Sequence, residues 1–517
     1  MDASGLLTVF AVLLTGATLL PTKRILDLKI RVTLLDKILF SVLIAFILYF
    51  LFFEILKYNN LVLPIPWLWG FDEESSLLAS SLLLMTFCIV KYREEKLPKS
   101  SISKLKKEIT SLIKEVNFVD ISFLLEKYKL YLIKYYSHIP WYVVLHRKIK
   151  PRYEHVNLIS FNVSEDNKTT FTENIRDKLA CMIPNSSQVS NEIDSMFSLI
   201  FKSRSLVCYL NENHPTLGLE LISTSDNIES VYREEFINML LEDKHSLLYR
   251  ELSQSQYIDQ SNCYEIDASN LLLKYLFEDI RRSDDLKLYL SIKNFSIKII
   301  QKEQSQNSVY HNSCDDFVDS NERYECPVYI SIFLYDMMIR QAIEQKYYNH
   351  LFPNYLLFIA KEIISSIDNV EMNRSGKEFP TRNYFLLYEC FITMSSWIDM
   401  IVERAINQER YNPELILESF GMMTYYMLTS KAISKKKKAY YLGVVLGVIR
   451  KLDEVNLEAF SKIIVTHSLK LHAFSKLDQS IIFIIEELGP YVKDDDWYHS
   501  SILNNYFLKG SVSSREE

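Results

Sequence analysis

The chain has 517 residues, a formal net charge of −7, 48% hydrophobic and 13% aromatic residues, and only 10 glycines and 13 prolines. Net acidity argues against wholesale nucleic-acid binding and leaves room only for a local basic site. So few glycines supply few tight hairpin turns, which favours a helical fold over a sheet.

Three apolar stretches come first: Gly5 to Leu20, Ile38 to Leu56 and Ser75 to Val90. At about 1.5 Å per residue they span ~24 to 28 Å, slightly short of a ~30 Å hydrocarbon core but within reach if their flanks snorkel. They read as three membrane helices, a buried core helix being the alternative for each. Lys23, Arg24, Lys29, Arg31 and Lys37 lie in the first loop, and Lys91, Arg93, Lys96 and Lys99 follow the third stretch. Basic residues mark the cytoplasmic side. The acidic loop with Asp72, Glu73 and Glu74 is then external, the N-terminus outside and the C-terminal domain cytoplasmic. Met1 to Ser4 supply no basic leader, so no signal peptide is expected.

Small and hydroxyl residues recur at four-residue spacing within these stretches, at Ala11 and Thr15 and at Ser76 and Ser80. Close helix packing is one reading. The other is that Ser76, Ser80 and Ser81, or Thr8, Thr15 and Thr18, line a polar path when several copies assemble, because three helices enclose no channel alone. Glu54, near the outer end of the second stretch, either pairs with Lys57 at the interface or forms an acidic ring favouring cations.

From Ser100 to about His138 the pattern is helical, with a stripe of Ile102, Leu105, Ile109, Leu112, Ile113 and Val116 opposite Lys104, Lys106 and Lys107. This is a connector whose lysines meet anionic headgroups. A basic turn follows with Arg147, Lys148, Lys150 and Arg152, read as a membrane-facing or solvated loop or as an anion-binding loop. Between Tyr153 and Ser223 apolar residues alternate, most clearly at Ile159, Phe161 and Val163 and in an extended run from Leu217 to Ser223, which leaves room for a small strand pair. Helical periodicity dominates after Asp226, with a polar loop from Gln304 to Asp319. Further helices begin at Pro327 and near Pro353, Arg382, Pro413, Lys436, Asn456 and Asp478. The expected fold is mainly α: a bundle of three transmembrane helices and a large layered or solenoid-like helical body with at most a small β element. It divides into a transmembrane region 1–95, a connector 96–150, a helical domain 151–305 and a C-terminal helical domain 320–517.

Motifs for catalysis are scarce. The closest glycine pair of the kind a phosphate loop needs, Gly443 and Gly447, falls within an apolar helix, where it signals close helix packing. His467 and His472 are five apart and share no chelating face. His311, Cys314 and Cys326, with Cys263 at a distance, offer zinc ligands, but a polar loop with incidental thiols is preferred. The seven cysteines are dispersed without a CxxC pair and read as free thiols in a reducing cytosol. No metal, cofactor or enzymatic activity is expected. The sharpest cytosolic feature is Lys435, Lys436, Lys437 and Lys438 followed by Tyr440 and Tyr441. Adjacent ammonium groups at a helix start suit phosphates, and the tyrosines suit stacked bases, so a nucleotide or short oligonucleotide is the candidate ligand. The alternatives are a solvated helix start and membrane contact.

An N-terminal set of membrane helices (Gly5 to Leu20, Ile38 to Leu56, Ser75 to Val90) carrying a large, motif-poor helical body resembles the membrane effectors of bacterial antiphage defence systems. Among them the Hailong type pairs a nucleotidyltransferase with a ligand-gated membrane effector. The resemblance implies a multi-pass protein of the bacterial inner membrane, a homo-oligomer, a gating ligand and a partner protein encoded nearby. The resulting expectation is an oligomeric effector or channel that permeabilises the membrane. A membrane-tethered scaffold recruiting a cytosolic partner is the second reading, and a membrane-bound enzyme the third.

Overall fold

In the computed structural model the described residues are Thr15, 20–61, 73–138, 140–149, 187–224, 230–303, 308–314, 317–318, 321–348, 350–370, 379–406, 412–470, 479–493 and 501–508. Apart from Thr15 and Leu20, the first apolar stretch lies outside them, as do Lys150 and Arg152. The chain divides into two compact units, Met1–Leu210 with Glu220–Ile228, and Asn211–Leu219 with Glu229–Glu517.

The first unit opens with α1 (Thr22–Arg31), α2 (Leu34–Leu51), α3 (Phe53–Tyr58) and α4 (Glu73–Arg93). Thr33 starts α2 with a reciprocal cap: its hydroxyl accepts from the Asp36 amide at 3.2 Å, and the Asp36 carboxylate accepts from the Thr33 amide at 2.8 Å. Both α2 and α4 are long and apolar enough to cross a membrane, and only 6% and 22% of their apolar windows are buried. Their mutual contact is a small cluster of Ile47, Leu77 and Leu84.

Next come α5 (Ile102–Lys114), α6 (Phe118–Ser137), α7 (Trp141–Ile149) and α8 (Gln188–Lys202). α5, α6 and α8 pack together, burying Ile102, Leu105, Ile109, Leu124, Leu125, Met196, Phe197 and Ile200. The expected stripe is interrupted at its end. Val116 is 66% exposed and adopts a φ of 59°, turning the chain between α5 and α6 in place of extending the apolar face. Asn117 then caps α6 by accepting from the Asp120 amide.

Through α9 (Arg204–Asn213) and α10 (Pro215–Thr224) the division between units passes. α10 corrects the extended run expected at Leu217 to Ser223. Leu217, Leu219 and Leu221 mimic a strand alternation, but Ile222 is buried as well, so the segment is apolar around much of a helix. No named strand occurs among the described residues; one isolated bridge joins Ile258 and Tyr264.

The second unit continues with α11 (Ser230–Glu242), α12 (Leu247–Gln254), α13 (Leu271–Phe277), α14 (Ile280–Asp285), α15 (Leu288–Lys302), α16 (Pro327–Glu344), α17 (Phe352–Val370), α18 (Arg382–Ile406), α19 (Glu414–Thr429), α20 (Lys435–Glu454), α21 (Glu458–Ser468) and α22 (Gln479–Lys493). Contacts run between alternate helices: α11, α15, α17, α19 and α21 form one row, and α14, α16, α18, α20 and α22 the other. This is the two-layer stacking of a helical solenoid, in which each helix buries one face on the row and another on its hairpin partner. α18 also has the length and apolarity of a membrane span, yet 61% of its window is buried, with Trp397, Phe391 and Met394 fully enclosed. It is a core helix.

The glycine expectation is corrected. A Cβ on Gly443 or Gly447 would meet nothing within 4 Å, so their spacing does not mark close packing. Gly421 marks it instead: a Cβ there would sit 2.6 Å from the Ile464 carbonyl oxygen, where α19 crosses α21.

Candidate functional site

The strongest concentration of buried charge lies where α1 meets α6 and the end of α4. Asp27 is fully buried and Arg31 is 3% exposed. Four-residue spacing places them on one face of α1, and Arg31 donates to the Asp27 carboxylate from Nη2 at 2.6 Å and from Nε at 3.1 Å. The remaining guanidinium nitrogen, Nη1, donates to the Lys91 carbonyl at 3.0 Å, tying α1 to the last turn of α4. From α6, Lys127 Nζ pairs with Asp27 at 2.7 Å and the Tyr128 hydroxyl donates to its other oxygen.

A second, more exposed group adjoins it. Lys91 pairs with Asp36 of α2 at 2.9 Å and with Glu94 at 2.8 Å, and Lys104 of α5 donates to the Val32 carbonyl at 2.6 Å. Two cations against one carboxylate in the first group, and two ammoniums against two carboxylates in the second, leave the joint with one net positive charge. Burial alone would raise the Asp27 pKa; hydrogen bonds from Lys127, Tyr128 and Arg31 outweigh it and hold the carboxyl below its ordinary value. The same burial and the bond to Asp27 push the Tyr128 phenol up, so it stays a donor. What this arrangement can do is mechanical: it locks three helices through charges that are costly to separate in a dry site.

Read from the sequence, Arg31 is only one of the loop charges that orient the chain. The four-residue spacing of Asp27 and Arg31 around the buried Ile30 was the available signal for a buried pair on an amphipathic helix.

The lysine run begins α20, capped by Ser434, whose hydroxyl accepts from the Lys437 amide at 3.5 Å. Its members have different fates. Lys435 pairs with Glu487 at 2.9 Å, which holds its pKa up. Lys437 lies 4.3 Å over the Tyr384 ring. Lys438 is half-buried, and that burial, with Lys435 nearby, lowers its pKa against the opposing pull of Asp368 and Glu487. Tyr441 is buried against Phe391. Lys436 and Tyr440, one turn apart, are exposed. Arg147 and Lys148 belong to α7, which replaces part of the expected turn by helix; they stand far along the chain from the lysine run.

Among the proposed pore residues, Ser76, Ser80 and Ser81 share the buried face of α4 with Leu77 and Leu84. The Ser80 and Ser81 hydroxyls donate to the carbonyls of Ser76 and Leu77 at 2.8 and 2.9 Å, within their own helix. Glu54 is exposed on α3.

No group of metal-ligating side chains occurs among the described residues, and the described cysteines are free thiols. His311 is fully buried between Ser366 and Asn383, each 3.4 Å away. Comparison with known protein families, with curated proteins and with solved structures finds no match.

The second unit has its own buried pair. Asp336 accepts from Arg340 Nε at 2.8 Å, Trp397 Nε1 at 2.6 Å and the Tyr264 hydroxyl at 2.6 Å, while Arg340 donates onward to the Asn262 carbonyl and Ser396. Every partner is satisfied, which suits a structural clasp between α16 and α18. Glu389 nearby is pushed up to about 7 by burial, with Asp336 adding to the shift and Arg323 opposing it.

Proposed function

We propose that the chain is an oligomeric membrane effector that permeabilises a bilayer, with α2 and α4 as membrane helices and the helical body as the regulatory part. The observation that carries this reading is the Asp27 joint, which binds the short helix between two apolar segments, and the end of α4, to α6 by buried charge. A joint of that kind transmits a displacement of α6 to the apolar helices in place of absorbing it. The antiphage setting follows from the resemblance in architecture, and an anionic ligand such as a nucleotide or oligonucleotide would meet Lys436 and Tyr440 at the start of α20.

The test is flux: purified full-length chain in dye-loaded liposomes, with and without short oligonucleotides and nucleotides. Oligomers that pass ions support the reading; a monomer that stays tight under every addition ends it. The second reading, a membrane-tethered scaffold, is favoured by the solenoid rows, which suit extended protein binding. Pull-down from native membranes separates the two, since a scaffold brings a stoichiometric protein partner and passes no ions.

A further inference from the structure

α7 presents an apolar stripe away from the protein. Trp141, Val144 and Leu145 are 75%, 40% and 38% exposed, whereas Val143 on the opposite side is 4% exposed and anchors the helix. Three- and four-residue spacing puts the exposed three on one face.

The position of this stripe is tied to the end of an apolar helix. α4 finishes at Arg93, and four residues later the Leu97 carbonyl accepts from the Tyr135 hydroxyl at 2.6 Å, with the Lys99 ammonium 5.5 Å over the Tyr135 ring. Trp141 follows Tyr135 by six residues, so it lies no more than ~20 Å from that anchor. All of these residues belong to the first unit. The chemistry matches the place: a tryptophan leads the stripe, and His146, Arg147 and Lys148 follow in the next turn of the sequence. Apolar side chains entering the acyl boundary beneath basic residues that meet anionic headgroups are the makeup of an interfacial helix.

We propose that α7 lies in the headgroup layer of an anionic bilayer, with Trp141, Val144 and Leu145 inserted into the acyl boundary. The assignment rests on the membrane reading of α2 and α4 and adds a second, lateral attachment to it.

The experiment uses the full chain reconstituted in vesicles of phosphatidylcholine and phosphatidylglycerol, with plain or brominated acyl chains. The protein has five tryptophans; subtracting the emission of Trp141→Phe from that of the unaltered chain isolates Trp141. The expected difference emission is blue-shifted, loses most of its intensity in brominated lipid, and is quenched less when phosphatidylglycerol is omitted. Leu145→Glu abolishes the quenching while the protein stays in the membrane through alkaline carbonate. Water-like, unquenched Trp141 emission from carbonate-resistant protein overturns the assignment. So does blue-shifted emission that ignores brominated lipid and grows with protein density, which would place a second copy on this face. Loss of the protein to carbonate overturns the membrane reading itself.

Discussion

Arg31 grips Asp27 with two of its three guanidinium nitrogens and spends the third on the Lys91 carbonyl, so a pair formed within one helix also fastens a second helix sixty residues on. Both side chains are out of water. Removing one partner strands the other, because a buried charge without its counter-charge has neither solvent nor partner.

Asp27→Asn therefore destabilises the first unit by roughly 3–5 kcal/mol, the range for breaking a buried ion pair. The combined variant Asp27→Leu, Arg31→Met, Lys127→Met and Tyr128→Phe recovers much of that loss, since it removes the carboxylate together with the groups that pair with it. Denaturant unfolding in detergent micelles measures both.

Acid dependence follows from the same group. The folded-state pKa of Asp27 is lowered, so the stability it contributes is fully present above its unfolded value of about 3.9 and is lost as pH falls through the lower folded value. Asp27→Asn lacks this acid limb. Glu389 runs the other way: its pKa is pushed up to about 7, so stability declines as pH rises from about 4.3 toward that value. Glu389→Gln flattens that decline, which melting temperatures across the interval record.

Gly421→Ala strains the α19–α21 crossing, where backbone oxygen and the His467 Cβ stand 2.6 and 2.7 Å from the new methyl. A loss of about 1–3 kcal/mol is expected, as for overpacking in a close-packed core. Gly443→Ala and Gly447→Ala meet open space and gain roughly 0.5–1 kcal/mol from helix propensity. Thermal shifts of opposite sign check the contrast.

Ser80→Ala and Ser81→Ala leave ion flux unchanged and alter stability by about 1 kcal/mol or less, because each hydroxyl is buried and bonded to its own helix. Glu54→Gln changes cation preference if the exposed carboxylate lines the conducting assembly. Reversal potentials of reconstituted protein distinguish the two.

Much of the helical body is legible in the sequence because its signals are local. Pro327 opens α16 at its first residue, Ser434 caps α20, and the starts expected near Pro353, Pro413 and Asp478 fall within a residue of α17, α19 and α22. The stacking of alternate helices follows from apolar faces wide enough to serve two neighbours. The Asp27 and Arg31 spacing is a local signal for their pairing, but the joint itself has none, because burial of Asp27 depends on Tyr128 and Lys127, a hundred residues later. The lysine run is legible as charge but not in its geometry, for a related reason. Four adjacent charges look like one site, but Glu487 and Tyr384, which take up Lys435 and Lys437, come from other helices. Gly218 shows the same effect in α10: the Phe236 ring fills the place of a Cβ, 2.3 Å away, and only that contact explains why glycine interrupts the leucines.

The most direct test of the central claim, that the joint ties a bilayer-seated segment to the body, compares the unaltered chain with Asp27→Asn by alkaline carbonate extraction of native membranes and by flux through reconstituted vesicles. The account predicts that both proteins resist carbonate and that the variant's flux loses its response to added nucleotides and oligonucleotides. Protein released by carbonate, or a variant whose flux responds as the unaltered chain's does, would contradict it.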